Sequence, residues 1–236
     1  MINSKLFQLY QDHWDSLFRE LKHINRNPEF TINPANPLLL KVGDEKAYTE
    51  ADIRVMIFGQ EPNTWGGHLR DNVAEVQLIY KDFFLTNYCF DTYKRPFWNG
   101  VNQLRHLFWN QYPKAKVEFY WNDIIKVGMA NDKGMPPHNI QQIELKHFKV
   151  IQQEIEILKP DVIIFLSGPD YDWFIKQQIG EINFNAIEGY SARQMARLEI
   201  PNVKTAIRTY HPGYLKRSSN TDGYFNSIMN EINQSL

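Results

Sequence analysis

Ile53-Arg54-Val55-Met56-Ile57-Phe58 runs directly into Gly59-Gln60-Glu61-Pro62-Asn63-Thr64-Trp65-Gly66-Gly67. The first six residues are a short, mostly apolar run rich in β-branched side chains, the pattern of a strand buried on both faces. Gly59 ends it with a residue that permits a tight turn and close backbone approach to a ligand. Pro62 stiffens the loop that follows. Three more segments repeat the pattern: Val117–Trp121, Val162–Leu166 and Val203–Ile207, each followed by Gly, Asn, Asp, Ser or His within a few residues. Helical periodicity separates them, over Phe97–Trp109, Ile140–Leu158, Pro169–Gln178 and Thr221–Ile232. Strands alternating with helices imply parallel βαβ units. The expected fold is α/β, a three-layer α/β/α sandwich with a central, mainly parallel four-stranded sheet. Such sheets bind ligands beyond the carboxyl ends of their strands, so the polar residues after each strand are the candidate site.

Upstream, residues 4–25 carry Leu6, Phe7, Tyr10, Trp14, Leu17, Phe18 and Leu21 at three- and four-residue steps, the pattern of an amphipathic helix with Ser4 as its N-cap. Residues 25–37 are rich in Pro and Asn and read as a loop. The 236 residues suit a single domain over 1–236, with 1–45 as an N-terminal helical extension.

The net charge is −1, so the global electrostatics that drive non-specific DNA binding are absent and any DNA contact needs a local patch. Lys94, Arg95, Lys216 and Arg217 are the best candidates for phosphate contacts. Cys89 is the one cysteine, which excludes an internal disulfide and a four-cysteine cluster and fits a reducing cytoplasm. His68, His106, His138 and His147 show no metal-ligand spacing, and neither a metal nor a cofactor is expected. No apolar run reaches the length of a membrane span, and Met1–Glu20 does not read as a signal peptide. A cytoplasmic monomer with no membrane partner is the expectation.

Three strand ends carry residues suited to chemistry. Glu61, on the loop after the first strand, either polarises a water or stabilises positive charge, or is an acid on a surface turn. Asn122, after Phe119-Tyr120-Trp121, has an amide that can pair with a base edge, or it caps the next turn together with Asp123. The third segment is Arg208-Thr209-Tyr210-His211-Pro212-Gly213-Tyr214-Leu215-Lys216-Arg217. His211 either donates a hydrogen bond to developing negative charge or titrates near neutral pH, or it is a semi-buried histidine on a loop with a solvated charge pair. Leu215 is expected on an exposed loop, an apolar wedge flanked by the cations Lys216 and Arg217.

The ordered set resembles the uracil-DNA glycosylase superfamily, as a divergent member. The family's Gly-Gln-Asp-Pro-Tyr is matched by Gly59-Gln60-Glu61-Pro62-Asn63. Its Leu-Leu-Leu-Asn-Thr-Val-Leu corresponds to Phe119-Tyr120-Trp121-Asn122-Asp123-Ile124-Ile125. Its His-Pro-Ser-Pro-Leu-Ser corresponds to His211-Pro212-Gly213-Tyr214-Leu215-Lys216. The resemblance implies a base flipped out of DNA, with Glu61 in the place of the catalytic acid and His211 stabilising charge on the departing base. It implies base contacts from Gln60, Asn63 and Asn122, and DNA contacts from Leu215, Lys216 and Arg217. Glu61 stands where the family has Asp, and Asn63 where the uracil-specific branch has a Tyr that excludes the methyl of thymine. For the family's stacking Phe, the sequence offers Tyr80, Phe83 and Phe84 without deciding among them.

The leading expectation is a DNA glycosylase-like hydrolase that cleaves the N-glycosidic bond of a damaged or deaminated base, with DNA as partner. The alternatives are a catalytically inactive nucleic-acid-binding module of the same fold, and an enzyme acting on a free nucleoside-like small molecule.

Overall fold

The structure, a computed structural model, describes residues 1–27 and 29–236; Pro28, within the expected 25–37 loop, lies outside the described residues. The chain opens with α1 (Ile2–Arg26), β1 (Pro34–Pro37), α2 (Glu45–Thr49) and β2 (Ile53–Gly59). It continues with α3 (Val73–Tyr80), α4 (Pro96–Gln111), β3 (Val117–Asp123), β4 (Val127–Met129), α5 (His138–His147) and α6 (Ile151–Leu158). It closes with β5 (Val162–Phe165), α7 (Asp172–Ile179), β6 (Phe184–Ala186), β7 (Met195–Leu198), β8 (Thr205–Thr209), α8 (Pro212–Arg217) and α9 (Thr221–Asn233).

The fold is α/β, with a central mixed six-stranded sheet, ordered β3-β2-β5-β8-β7-β6, flanked by helices. The four expected strands are four contiguous strands of the six, and β2, β5 and β8 run parallel. Phe58 and Phe165 pair in register and stack at 4.7 Å. The expectation of four mainly parallel strands is corrected by β7 and β6, which add antiparallel to β8 and to each other. β6 is three residues long and mostly exposed, and β7 carries Arg197, so neither presents an apolar run.

The described chain divides into two compact units. The first comprises Met1–Glu45, Gln60–Thr86 and Asp123–Leu158; the second comprises Lys46–Gly59, Asn87–Asn122 and Lys159–Leu236. In the first, α1 buries Leu6, Tyr10, Trp14, Leu17 and Leu21, whereas Phe7 of the expected stripe stays exposed. The helix starts before Ser4, and the carboxylate of Glu45 does the capping: it accepts from the N–H groups of Ile2 and Asn3 at 2.8 and 2.9 Å. Within the expected 25–37 loop, β1 pairs antiparallel with β4. The single helix expected over Ile140–Leu158 is two, α5 and α6, broken at Phe148. Phe148 is fully buried, with its ring 6.1 Å from Tyr10, so packing overrides a run that contains neither Gly nor Pro.

Deep in the same unit lies an ionic cluster. The Lys126 ammonium donates to Glu154 at 2.8 and 3.1 Å, and both side chains are wholly buried. The Tyr10 hydroxyl donates to the same carboxylate at 2.7 Å and accepts from the Leu40 N–H. Glu144, also buried, accepts from the N–H groups of Lys126 and Val127, both at 2.9 Å. Burial pushes Glu144 up to about 7, against the lowering effect of those two N–H donors.

Candidate active site

In the first unit, the candidate segment is the loop that leaves β2. Gln60 is half-buried and its carbonyl accepts from the Ile125 N–H at 3.0 Å. Glu61 and Pro62 are buried, so Glu61 is not an acid on an open surface turn. The Thr64 N–H donates to the Met129 carbonyl at 3.0 Å. Gly128 lets the two segments close: a Cβ there would lie 1.8 Å from the Pro62 carbonyl oxygen. The buried amide of Asn36 donates to the carbonyls of Trp65 and His68, and its oxygen accepts from the Arg70 N–H. Asn63 is exposed, and its side-chain oxygen accepts from the Gly134 N–H at 2.9 Å. That bond ties the loop to Gly134. Of the three stacking candidates, Tyr80 and Phe84 are buried, and Phe83 meets Trp65 edge-on at 5.4 Å.

In the second unit, the candidate residues follow or end β3 and β8. Asn122 is fully buried and lies inside β3. His211 stands at the entrance to α8, directly after Tyr210, which follows β8. Its Nδ1 accepts from the Gly213 N–H at 3.0 Å, which leaves the neutral ring with its proton on Nε2. Phe97 lies nearly parallel to the imidazole, 21° off and 5.7 Å between centroids. Burial, together with the positive charge of Arg217, holds the His211 pKa down at about 4. His211 is therefore a neutral hydrogen-bond donor at physiological pH. Close packing fixes its loop: a Cβ on Gly100 of α4 would lie 2.6 Å from the Pro212 side chain.

Leu215 corrects an expectation. It lies in α8, not on an exposed loop, and is 0% exposed, because the six-residue helix turns it inward. Its neighbours Tyr214, Lys216 and Arg217 are the exposed ones. Arg208 is also buried, with its guanidinium held by the Asp172 carboxylate at 2.8 and 2.9 Å. Sequence reasoning missed three residues that position these loops: Asn36, Gly128 and Phe97. Each has its effect through partners far away in the chain, which no local motif announces.

The family model described as Uracil DNA glycosylase superfamily matches residues 46–233 of the 236-residue chain. The chain belongs to the uracil-DNA glycosylase superfamily. No curated protein matches it. All three motifs on which the resemblance was read lie within the matched span. Superfamily membership makes glycosylase-like chemistry and DNA repair the relevant functional class. Among the described residues no cluster of His, Cys, Asp or Glu is placed to hold a metal ion, and no helix is long and apolar enough to cross a membrane.

Proposed function

We propose that this superfamily member is a DNA glycosylase-like hydrolase that cleaves the N-glycosidic bond of a flipped damaged or deaminated base in DNA. The observation that carries the reading is the state of His211: a neutral imidazole with Nδ1 engaged by Gly213 and Nε2–H left as the donor. As the bond between C1′ and the base nitrogen breaks, its electron pair passes to the base and negative charge builds on a base carbonyl. A neutral donor aimed at that oxygen stabilises the departing anion without first having to lose a proton. The Glu61 carboxylate supports the positive sugar and takes a proton from the water whose oxygen bonds to C1′. Asn122 reads the base edge with its amide. Membership of the superfamily supports these assignments. No preference for uracil is claimed, since Asn63 stands where the uracil-specific branch has Tyr.

The test is release of free base from an oligonucleotide panel carrying deaminated, alkylated and oxidised bases. Wild type is expected to release at least one of them, and Glu61→Gln and His211→Ala to be strongly impaired. Release unaffected by both substitutions refutes the mechanism. DNA binding without release by the wild type favours the inactive binding module.

A further inference from the structure

The 27 acidic residues of the chain avoid two long stretches, 92–117 and 200–221, which contain Lys and Arg but no Asp or Glu. Both stretches belong to the second unit, and the fold joins them. Phe97 stacks on His211, and Gly100 packs on Pro212. Lys94, Arg95, Lys216 and Arg217, two from each stretch, are exposed, and none forms an ion pair among the described residues. In a chain of net charge −1, this is a local positive field centred on the histidine loop.

Two exposed tyrosines stand among these cations. Tyr93 is 41% exposed with the Arg95 guanidinium over its ring, and Tyr214 is 47% exposed with Arg217 at 6.0 Å. Tyr214 is also the outer rung of a ladder of rings: Tyr190 to Tyr224 at 4.9 Å, Tyr224 to Tyr210 at 6.0 Å, and Tyr210 to Tyr214 at 4.4 Å. An exposed ring backed by other rings is a rigid platform for a base, and flanking cations suit the phosphates on either side. Leu215, the residue expected to prise a duplex open, is buried beneath this surface. A face that offers stacking and phosphate contacts, but keeps its aliphatic wedge inside, suits nucleotides that are already unstacked.

We propose that this face binds single-stranded DNA, with Tyr214 stacking on an unpaired base, so that the substrate of the glycosidase proposed above is an unpaired rather than a duplex target. The inference rests on that reading for its choice of DNA, but its test is a binding measurement that needs no turnover.

The experiment is fluorescence anisotropy on the full chain, with a labelled mixed-sequence DNA strand of about 15 nucleotides, the upper span of one strand-binding module. The same strand is compared as duplex and as RNA. The single DNA strand is expected to bind at least about tenfold tighter than the duplex, and Tyr214→Ala to weaken it by about tenfold, with Tyr214→Phe within about twofold of wild type. The double variant Lys216→Ala/Arg217→Ala should reduce the slope of log affinity against log salt by about 1.4, the release expected for two phosphate contacts on a single strand. Duplex or RNA binding as tight as the DNA strand overturns the proposal, as does full affinity in Tyr214→Ala. If Tyr214→Ala fails to fold, the strand preference and the salt slope still decide. Strand binding with this pattern but no base release from any substrate would refute the glycosidase and leave the binding face standing.

Discussion

In the loop after β2, backbone groups from Gln60, Thr64 and Trp65 are each tied to a distant segment, and Gly128 closes on the Pro62 carbonyl. In the loop after β8, His211 is oriented from within its own turn by the Gly213 N–H, and exposed Tyr214, Lys216 and Arg217 follow. The first loop is held by backbone contacts, in the same unit as the buried ionic cluster. The second is held by ring stacking and keeps a surface open. The acid is thus embedded in the stability of its unit, while the imidazole is set by local geometry that costs the fold little. Substitutions that break the backbone contacts of the first loop should act mainly on folding, and those at His211 mainly on activity.

The largest effect is expected at the ionic cluster. Lys126→Met leaves the Glu154 carboxylate buried without its cation and should cost about 3–5 kcal/mol in urea unfolding. Lys126→Met/Glu154→Leu should recover much of that loss, because both charges are then gone. His211→Ala comes next, with base release about 100- to 1000-fold slower by loss of one preorganised donor, and a urea midpoint close to wild type. A stability loss in His211→Ala as large as that of Lys126→Met would break the comparison. Gly128→Ala, which drives a methyl into the Pro62 carbonyl, should cost about 1–3 kcal/mol and slow base release with it. Asn63→Ala removes one exposed hydrogen bond to Gly134 and should cost only about 0.5 kcal/mol by the same measurement.

The subtlest prediction concerns pH. His211 binds its proton more weakly in the folded chain, at about 4 against 6.5, so stability falls as pH drops from 6.5 to 4. Glu144 binds its proton more strongly in the folded chain, at about 7 against 4.5, so stability falls as pH rises from 4.5 to 7. The two oppose each other between 4.5 and 6.5. Melting temperature followed against pH should be flatter for wild type than for either single variant. Glu144→Gln should leave a rise with pH across 4 to 6.5, and His211→Ala a fall across 4.5 to 7. Unchanged profiles in both variants would count against this account.

The four central strands were legible because each is a short apolar run that stops at a turn residue, and that signal is local. β6 and β7 were not, since Asn185 and Arg197 interrupt any apolar pattern and their pairing depends on β8, a distant segment. The break between α5 and α6 is set by Phe148 meeting Tyr10, which no window of sequence contains. Glu61, Asn122 and His211 were legible as an ordered motif set. The inward turn of Leu215 was not, because six helical residues are too few to establish a period. Phe97 belongs to the periodic stripe of a packing helix, and its partner His211 lies more than a hundred positions away.

The two compact units are interleaved along the chain, and this bears on synthesis. Tyr10 leaves the ribosome long before Glu154, the carboxylate it will share with Lys126. Until α6 emerges, the nascent first unit holds a lysine destined for the interior without the Glu154 carboxylate to which it donates. Any product truncated before that helix would leave the Lys126 ammonium and the Tyr10 hydroxyl without the carboxylate they share, and no single continuous fragment of the gene encodes either unit.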